Sequence, residues 1–185
     1  MNEYQKIFNE IIQSQENHLF SITRRWDLCQ EYAWAIPSEE ALDILSSYNP
    51  LVEMGAGGGY WAHLLRQRGV DILAYDSHPG DNQWVSKQWT KVRKGGPEKL
   101  RKLPGRTLFL CWPPYNEPMA AECLKNFRGK YVIYVGESEG GCTGDDEFHS
   151  ILDNDYTLVR EQPIPQWYGI HDVMLIYRKI QNGYY

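Results

Sequence analysis

The chain has no CxxC pair, no apolar run long enough to cross a bilayer, no low-complexity tract and no internal repeat. Its four cysteines, Cys29, Cys111, Cys123 and Cys142, lie far apart. That spacing argues against a structural zinc site or a disulfide framework and fits a reducing compartment. Without a long apolar stretch there is no candidate membrane span. Met1-Asn2-Glu3-Tyr4-Gln5-Lys6 shows no signal-peptide pattern, so a cytoplasmic location and no membrane partner are expected. An excess of positive charge is also missing: 19 Lys and Arg face 24 Asp and Glu, a formal net charge of −5. This disfavours a strong nucleic-acid binder.

What remains is an ordinary globular composition, with 42% apolar and 23% charged residues over 185 positions. That length predicts one domain, 1–185, large enough for a substantial core. Aromatics are plentiful, with seven Trp and thirteen Tyr, enough to line a pocket as well as pack a core. Charge is unevenly spread. Lys87, Lys91, Arg93, Lys94, Lys99, Arg101, Lys102 and Arg106 are opposed locally only by Glu98. Such a segment is either a solvated face or a surface that contacts phosphate.

Apolar positions at Ile7, Phe8, Ile11, Ile12 and Leu19 predict an amphipathic helix over 2–20. A second helix is expected over 26–35. A third begins after Ser38, a suitable N-cap with acids in the first turn, and stops at Tyr48-Asn49-Pro50. Residues 1–49 thus read as a helical N-terminal extension to a cofactor-binding core over 50–179. In the core, strands are expected at 51–54, 70–75, about 89–93, 107–111, 131–136, 157–162 and 172–178. Helices fit at 60–68, near 97–103, at 117–127 and around 145–152. This alternation implies an α/β, doubly wound, Rossmann-like and mostly parallel seven-stranded sheet. The last two strands lack room for a crossover helix and should form a C-terminal antiparallel hairpin.

The densest signal is Leu51-Val52-Glu53-Met54-Gly55-Ala56-Gly57-Gly58-Gly59-Tyr60-Trp61, followed by Asp76 at the end of the next strand. Glycines between a strand and a helix permit a sharp turn and close approach of a ligand, and a strand-end acid can accept hydrogen bonds from ribose hydroxyls. This layout holds an adenosine-containing ligand. From the glycines alone, a dehydrogenase-type dinucleotide site remains open.

Glu53-Met54-Gly55-Ala56-Gly57-Gly58-Gly59 resembles the ExGxGxG signature of class I S-adenosylmethionine-dependent methyltransferases, as does the expected terminal hairpin. The resemblance covers roughly residues 50 to 179. It implies S-adenosyl-L-methionine as cofactor, with Glu53, Gly55, Ala56, Gly57 and Gly59 against its amino-acid part and Asp76 on its ribose. Together with Tyr32-Ala33-Trp34-Ala35-Ile36-Pro37 and Tyr134-Val135-Gly136-Glu137, the pattern is similar to a subgroup of small methyltransferase-like proteins. No metal is implied. Tyr32 and Trp34 would either line the cofactor pocket or pack the extension on the sheet.

A second motif, Cys111-Trp112-Pro113-Pro114-Tyr115-Asn116, follows the fourth strand, where open α/β sheets bind ligands. It is similar to the (Asn/Asp/Ser)-Pro-Pro-aromatic motif of amino-methyltransferases, in which the first residue and a proline carbonyl accept from the target amine and the aromatic ring stacks on it. Here the first position is Trp112, a donor only. The resemblance therefore implies an acceptor wall of Trp112, Pro113, Pro114 and Tyr115, with the Pro113 carbonyl and the Tyr115 ring as contacts. The residues alone also allow a rigid proline turn.

Glu137, Asp145 and Asp146 are candidate proton acceptors or substrate-orienting groups, with helix capping as the alternative for the two aspartates. Asp145, Asp146 and His149 could ligate a divalent cation, and His171 could abstract a proton or simply hydrogen-bond within the hairpin. Cys111 and Cys142 have no adjoining basic partner and are not expected to be nucleophiles. The resulting expectation is methyl transfer to an N or O of an acceptor. The acidic chain and the lack of space for a target-recognition domain favour a small molecule. Adenine amino methylation of nucleic acid and a non-catalytic cofactor- or partner-binding module stand as alternatives.

Overall fold

The computed structural model describes residues 1–14, 18–80, 82–138 and 140–180. Residues 15–17 of the helix expected over 2–20, and the end of the chain from 181, lie outside the described residues. Three helices, α1 (Glu3–Gln13), α2 (His18–Glu31) and α3 (Glu39–Ser47), precede the sheet. Asn2 caps α1 by accepting from the Gln5 N–H at 3.0 Å, and Ser38 caps α3 by accepting from the Ala41 N–H at 3.1 Å. Then follow β1 (Leu51–Met54), α4 (Tyr60–Gln67), β2 (Ile72–Asp76), β3 (Arg93–Lys94), a 3-10 turn (Pro97–Lys102), β4 (Thr107–Cys111), α5 (Met119–Asn126), β5 (Tyr131–Gly136), α6 (Asp146–Asp155), β6 (Tyr156–Pro163) and β7 (Val173–Lys179).

The seven strands form one sheet in the order β3-β2-β1-β4-β5-β7-β6. The first five strands pair in parallel, and β7 lies antiparallel to both β5 and β6. The direction of winding reverses between β1 and β4, which opens a crevice at the carboxyl ends of those strands. Period-two alternation distributes β1 between the layers: Leu51 faces the core with Trp61, Leu65 and Phe109, while Val52 and Met54 face the core with Leu100, Leu124 and Phe127. Glu53 shares the face of Leu51, between Ala74 and Phe109 in the strand register.

The helical extension is tied to the core by a third cluster containing Tyr4, Phe8, Leu28, Tyr32, Tyr60 and Trp167. The Phe8 and Trp167 rings meet edge to face at 5.0 Å, and the Trp167 indole donates to the Tyr4 hydroxyl at 3.1 Å. This joins α1 to the β6–β7 connection.

The expected architecture is present, including the mostly parallel sheet and its antiparallel end. Three elements differ in detail. The helix expected over 2–20 ends at Gln13, and Leu19 falls in α2. The helix expected over 26–35 lies at His18–Glu31, so Trp34 falls in the connection to α3. The strand expected at 89–93 shrinks to Arg93–Lys94, because the Trp89 N–H is already bonded to the Gly58 carbonyl at 2.8 Å. Among the described residues, no helix occupies the connection between β2 and β3. Its described residues form a strap whose Ser86 N–H donates to the Gln30 carbonyl at 2.9 Å, and the Gln30 amide donates back to the Gln83 carbonyl at 2.9 Å.

Candidate functional site

The turn between β1 and α4 is built from glycines in conformations that other residues resist. Gly55, Gly57 and Gly59 have φ of +72°, +52° and +76°. Gly58 is constrained instead by proximity: a Cβ there would lie 2.2 Å from the Lys87 carbonyl oxygen in the strap. Gly59 ends the turn at the start of α4, facing Thr90 and Val92, and does not line the cavity.

Asp76, the last residue of β2, braces this turn. One carboxylate oxygen accepts from the Gly57 N–H at 2.9 Å and the other from the His78 N–H at 2.8 Å. A carboxylate offers about four acceptor sites, so capacity remains for hydroxyl donors. Glu53 is only 2% exposed, and its Oε2 is buried with no partner. Burial pushes its carboxyl from the ordinary 4.5 up to about 8, partly countered by Arg66. A buried carboxyl with one oxygen unpartnered near the end of a central strand is a costly group to keep.

These groups line a cavity of about 830 Å³, together with Gly55, Ala56, Gly57 and Gly58 on one side and Trp112, Pro114 and Tyr115 on the other. Gly95, Gly96 and Pro97 close the side beyond β3. Tyr32 and Trp34 also line it, so the extension contributes directly to the wall.

Trp112 has φ +53°, rare for a bulky residue, and its indole N–H donates to Asp172 Oδ1 at 2.7 Å. Burial pushes the Asp172 carboxyl up to about 7, against the lowering effect of that indole. The Trp112 ring stacks on Trp34 with centroids 5.2 Å apart and planes 27° apart. The Arg25 guanidinium lies 5.9 and 5.8 Å from the Trp34 and Trp112 centroids.

Pro113 is placed differently from the expectation. It is buried and does not line the cavity, and its carbonyl receives the Gly144 N–H at 2.8 Å. The bridge between Pro114 and Thr143 holds the two loops together and keeps the Pro113 carbonyl turned to Gly144. Tyr115 is 59% exposed at the cavity mouth.

The remaining candidates separate. Burial tends to raise the Glu137 carboxyl. It is nevertheless held below its ordinary range, because it accepts from the Cys142 thiol and N–H and from the His171 N–H. Cys142 lines the cavity, with its thiol pushed up to about 11 by burial and by Glu137, and burial raises the Cys111 thiol as well. Neither is a thiolate near neutrality. Asp145 caps α6 by accepting from the Phe148 N–H at 2.9 Å, and the His149 Nε2 lies 2.9 Å from the Thr143 carbonyl. His171 is 83% exposed and lies away from this cavity. Among the described residues, no group of three or more His, Cys, Asp or Glu is placed to hold a metal ion. No helix there is long and apolar enough to cross a membrane.

The basic segment is largely engaged elsewhere. Arg106 pairs with Asp71 at 2.7 Å, Lys99 with Glu98 at 3.4 Å and Lys87 with Glu31 at 3.1 Å, while Arg101 donates to Asn126. Sequence reasoning did not single out Trp26, Trp84 or Asp172. Trp84, a large apolar residue within the polar stretch Asn82-Gln83-Trp84, carried the one usable local signal.

No protein-family model matches this sequence, and no curated protein matches it. Solved structures do match. A Thermoplasma acidophilum protein superposes with a TM-score of 0.52 at 11% identity, over 91% of this chain and 100% of its own. Methyltransferase CalO6 gives 0.50 at 14% identity, over 87% and 64%. The magnesium protoporphyrin IX methyltransferase of Synechocystis, with bound SAM, gives 0.49 at 13%, over 76% and 79%. At these identities the likeness is one of fold.

Proposed function

We propose, starting from the class I methyltransferase fold that this chain has, that it is an S-adenosylmethionine-dependent methyltransferase built as one domain. The observation that carries the reading is the pairing of Asp76 and Glu53 across the glycine turn. Asp76 faces the cavity with acceptor capacity left over after bracing Gly57, suited to ribose hydroxyls. Glu53 presents a buried carboxyl with an unpartnered oxygen, a group whose cost falls when a cation arrives. The aminoacyl sulfonium end of S-adenosylmethionine carries such charge. Gly55 leaves room beside Met119 Cε, which would lie 2.9 Å from a Cβ built there.

When bound, the cofactor supplies an electrophilic methyl group for in-line transfer to an acceptor N or O. The chain's own part is to position and to exclude water. Gly55, Ala56, Gly57 and Asp76 form the cofactor cradle, with Gly59 shaping its turn. Trp112, Pro114 and Tyr115 form the acceptor wall, and Pro113 fixes the backbone behind it. The raised thiols of Cys111 and Cys142 leave them protonated and unsuited to take the acceptor's proton.

Adenine amino methylation loses support from the same geometry. The Trp112 indole cannot accept, and Pro113 is buried away from the cavity lining. A small-molecule acceptor is therefore the better reading.

Isothermal titration with S-adenosylhomocysteine tests the function. Wild type is expected to bind, and Asp76→Ala to bind at least tenfold more weakly, as expected for losing a charged hydrogen-bond partner. Absence of binding, or undiminished binding by Asp76→Ala, overturns the proposal.

A further inference from the structure

Four tryptophans from four separate parts of the chain meet on the cavity wall. Trp26 comes from α2, Trp34 from the α2–α3 connection, Trp84 from the strap and Trp112 from the end of β4. Trp34 is the hub. It stacks on Trp112 and meets Trp26 edge to face at 5.4 Å and Trp84 at 5.7 Å. All four line the cavity, yet Trp26 and Trp84 remain 50% and 46% exposed. Indoles left this open are unfinished as packing, whereas the rings of the neighbouring Tyr32, Tyr60 and Trp61 are buried.

Charge decides what kind of ligand finishes them. Glu53, Asp76 and Glu117 line the cavity, and among the described residues no lysine or arginine does. A phosphorylated ligand would therefore meet the Asp76 and Glu117 carboxylates with no lysine or arginine on the lining to offset them, His78 being the one imidazole there. A quaternary ammonium of the kind held in aromatic cages finds the cation position at Trp34 and Trp112 already taken by Arg25. A flat, unphosphorylated ring fits both conditions, because it gains by stacking or edge contact with Trp26 and Trp84 and brings no anion.

We infer that the acceptor is a planar aromatic or heteroaromatic small molecule without a phosphate, held against the exposed faces of Trp26 and Trp84. This rests on the methyltransferase reading above and names the substrate class for that same site. It also separates the acceptor from nucleic acid, whose bases arrive with phosphates attached.

The test uses the full chain saturated with S-adenosylhomocysteine, titrated with 2-naphthol, with its saturated decahydro counterpart and with 2-naphthyl phosphate. These probes share a skeleton and differ in planarity and charge. 2-Naphthol is expected to bind about tenfold or more tightly than either of the others, the size of one good stacking contact. Trp84→Leu and Trp26→Leu, each half-exposed, are expected to reduce that preference severalfold while S-adenosylhomocysteine affinity is retained, with only a small fall in melting temperature from the lost edge contact on Trp34. Equal binding of the saturated probe, equal or tighter binding of the phosphate, tighter binding of a single-stranded RNA oligonucleotide, or no binding of 2-naphthol overturns the inference. So does a preference unaffected by both variants. Failure of S-adenosylhomocysteine to bind is a different result and removes the methyltransferase reading itself.

Discussion

Replacing Glu53 with glutamine removes an ionisation that burial in the fold opposes. The carboxyl titrates near 4.5 when the chain is unfolded and near 8 in the folded protein, mainly because it is buried. Below about pH 4.5 both states hold the proton and the group contributes nothing to pH dependence. Between 4.5 and 8 the unfolded chain ionises while the folded protein keeps its proton, so stability falls as pH rises. Above 8 both are ionised and the loss is complete. At about 1.4 kcal/mol per pH unit, the full loss is roughly 5 kcal/mol. Glu53→Gln keeps the shape and abolishes the titration. Urea unfolding followed by tryptophan fluorescence from pH 5 to 9, extrapolated linearly, gives both stability curves. The difference between variant and wild type should grow by several kcal/mol in favour of the variant up to about pH 8, then level off. Other titrating groups, such as Asp172 and Glu137, are common to both proteins and cancel in the subtraction. Curves that run parallel between pH 5 and 8 would refute the reasoning, since Glu53 would then ionise in the fold as readily as in water. With S-adenosylhomocysteine bound, the ligand's ammonium favours ionised Glu53. Binding by the wild type near pH 7 should therefore release a proton, seen as buffer-dependent calorimetric heat, and the variant should release none.

Three further outcomes follow from particular contacts. Gly58→Ala places a methyl against the Lys87 carbonyl, so the strap must move; about 1–3 kcal/mol of stability should be lost in thermal unfolding, with faster amide exchange at Trp89. Trp112→Phe leaves the buried Asp172 without its indole donor, costing about 1–3 kcal/mol. Because the indole lowers the Asp172 value, the folded carboxyl should rise further above about 7, and the variant's melting temperature should fall more than wild type's between pH 6 and 9. Asp76→Asn keeps one oxygen for the Gly57 N–H, so its melting temperature should match wild type more closely than that of Asp76→Ala, while both bind S-adenosylhomocysteine more weakly.

Local requirements were readable from the sequence, and long-range ones were not. The glycine turn announces itself because positive φ at Gly55, Gly57 and Gly59 is a property of those residues alone. Ser38 and Asp145 likewise declare their caps within three residues. Trp112 does not, because its fate is decided by Asp172, sixty positions away. The Pro113 carbonyl is claimed by Gly144, which no local pattern indicates. Residues 89–93 look like a strand by composition, yet Trp89 is drawn to Gly58 and the pairing begins only at Arg93. The basic run from Lys87 to Arg106 looked like one surface, but its side chains disperse to partners such as Glu31, Asp71 and Asn126.

Trp89 has a consequence for how the chain can be divided. Its indole donates to the Glu31 carbonyl at 2.6 Å, its ring stacks on Tyr32 at 5.1 Å and tilts against Tyr60 at 4.8 Å, and its backbone holds Gly58. One residue thus rivets the end of α2, the start of α4 and the glycine turn together. Residues 1–49 are therefore part of the room they enclose and not a porch in front of it. A chain trimmed to the sheet and its own helices would keep its strand order but lose the clamp on the strap, and with it the shape of the cavity mouth. Any transplant of this site into another scaffold has to carry the first two helices along.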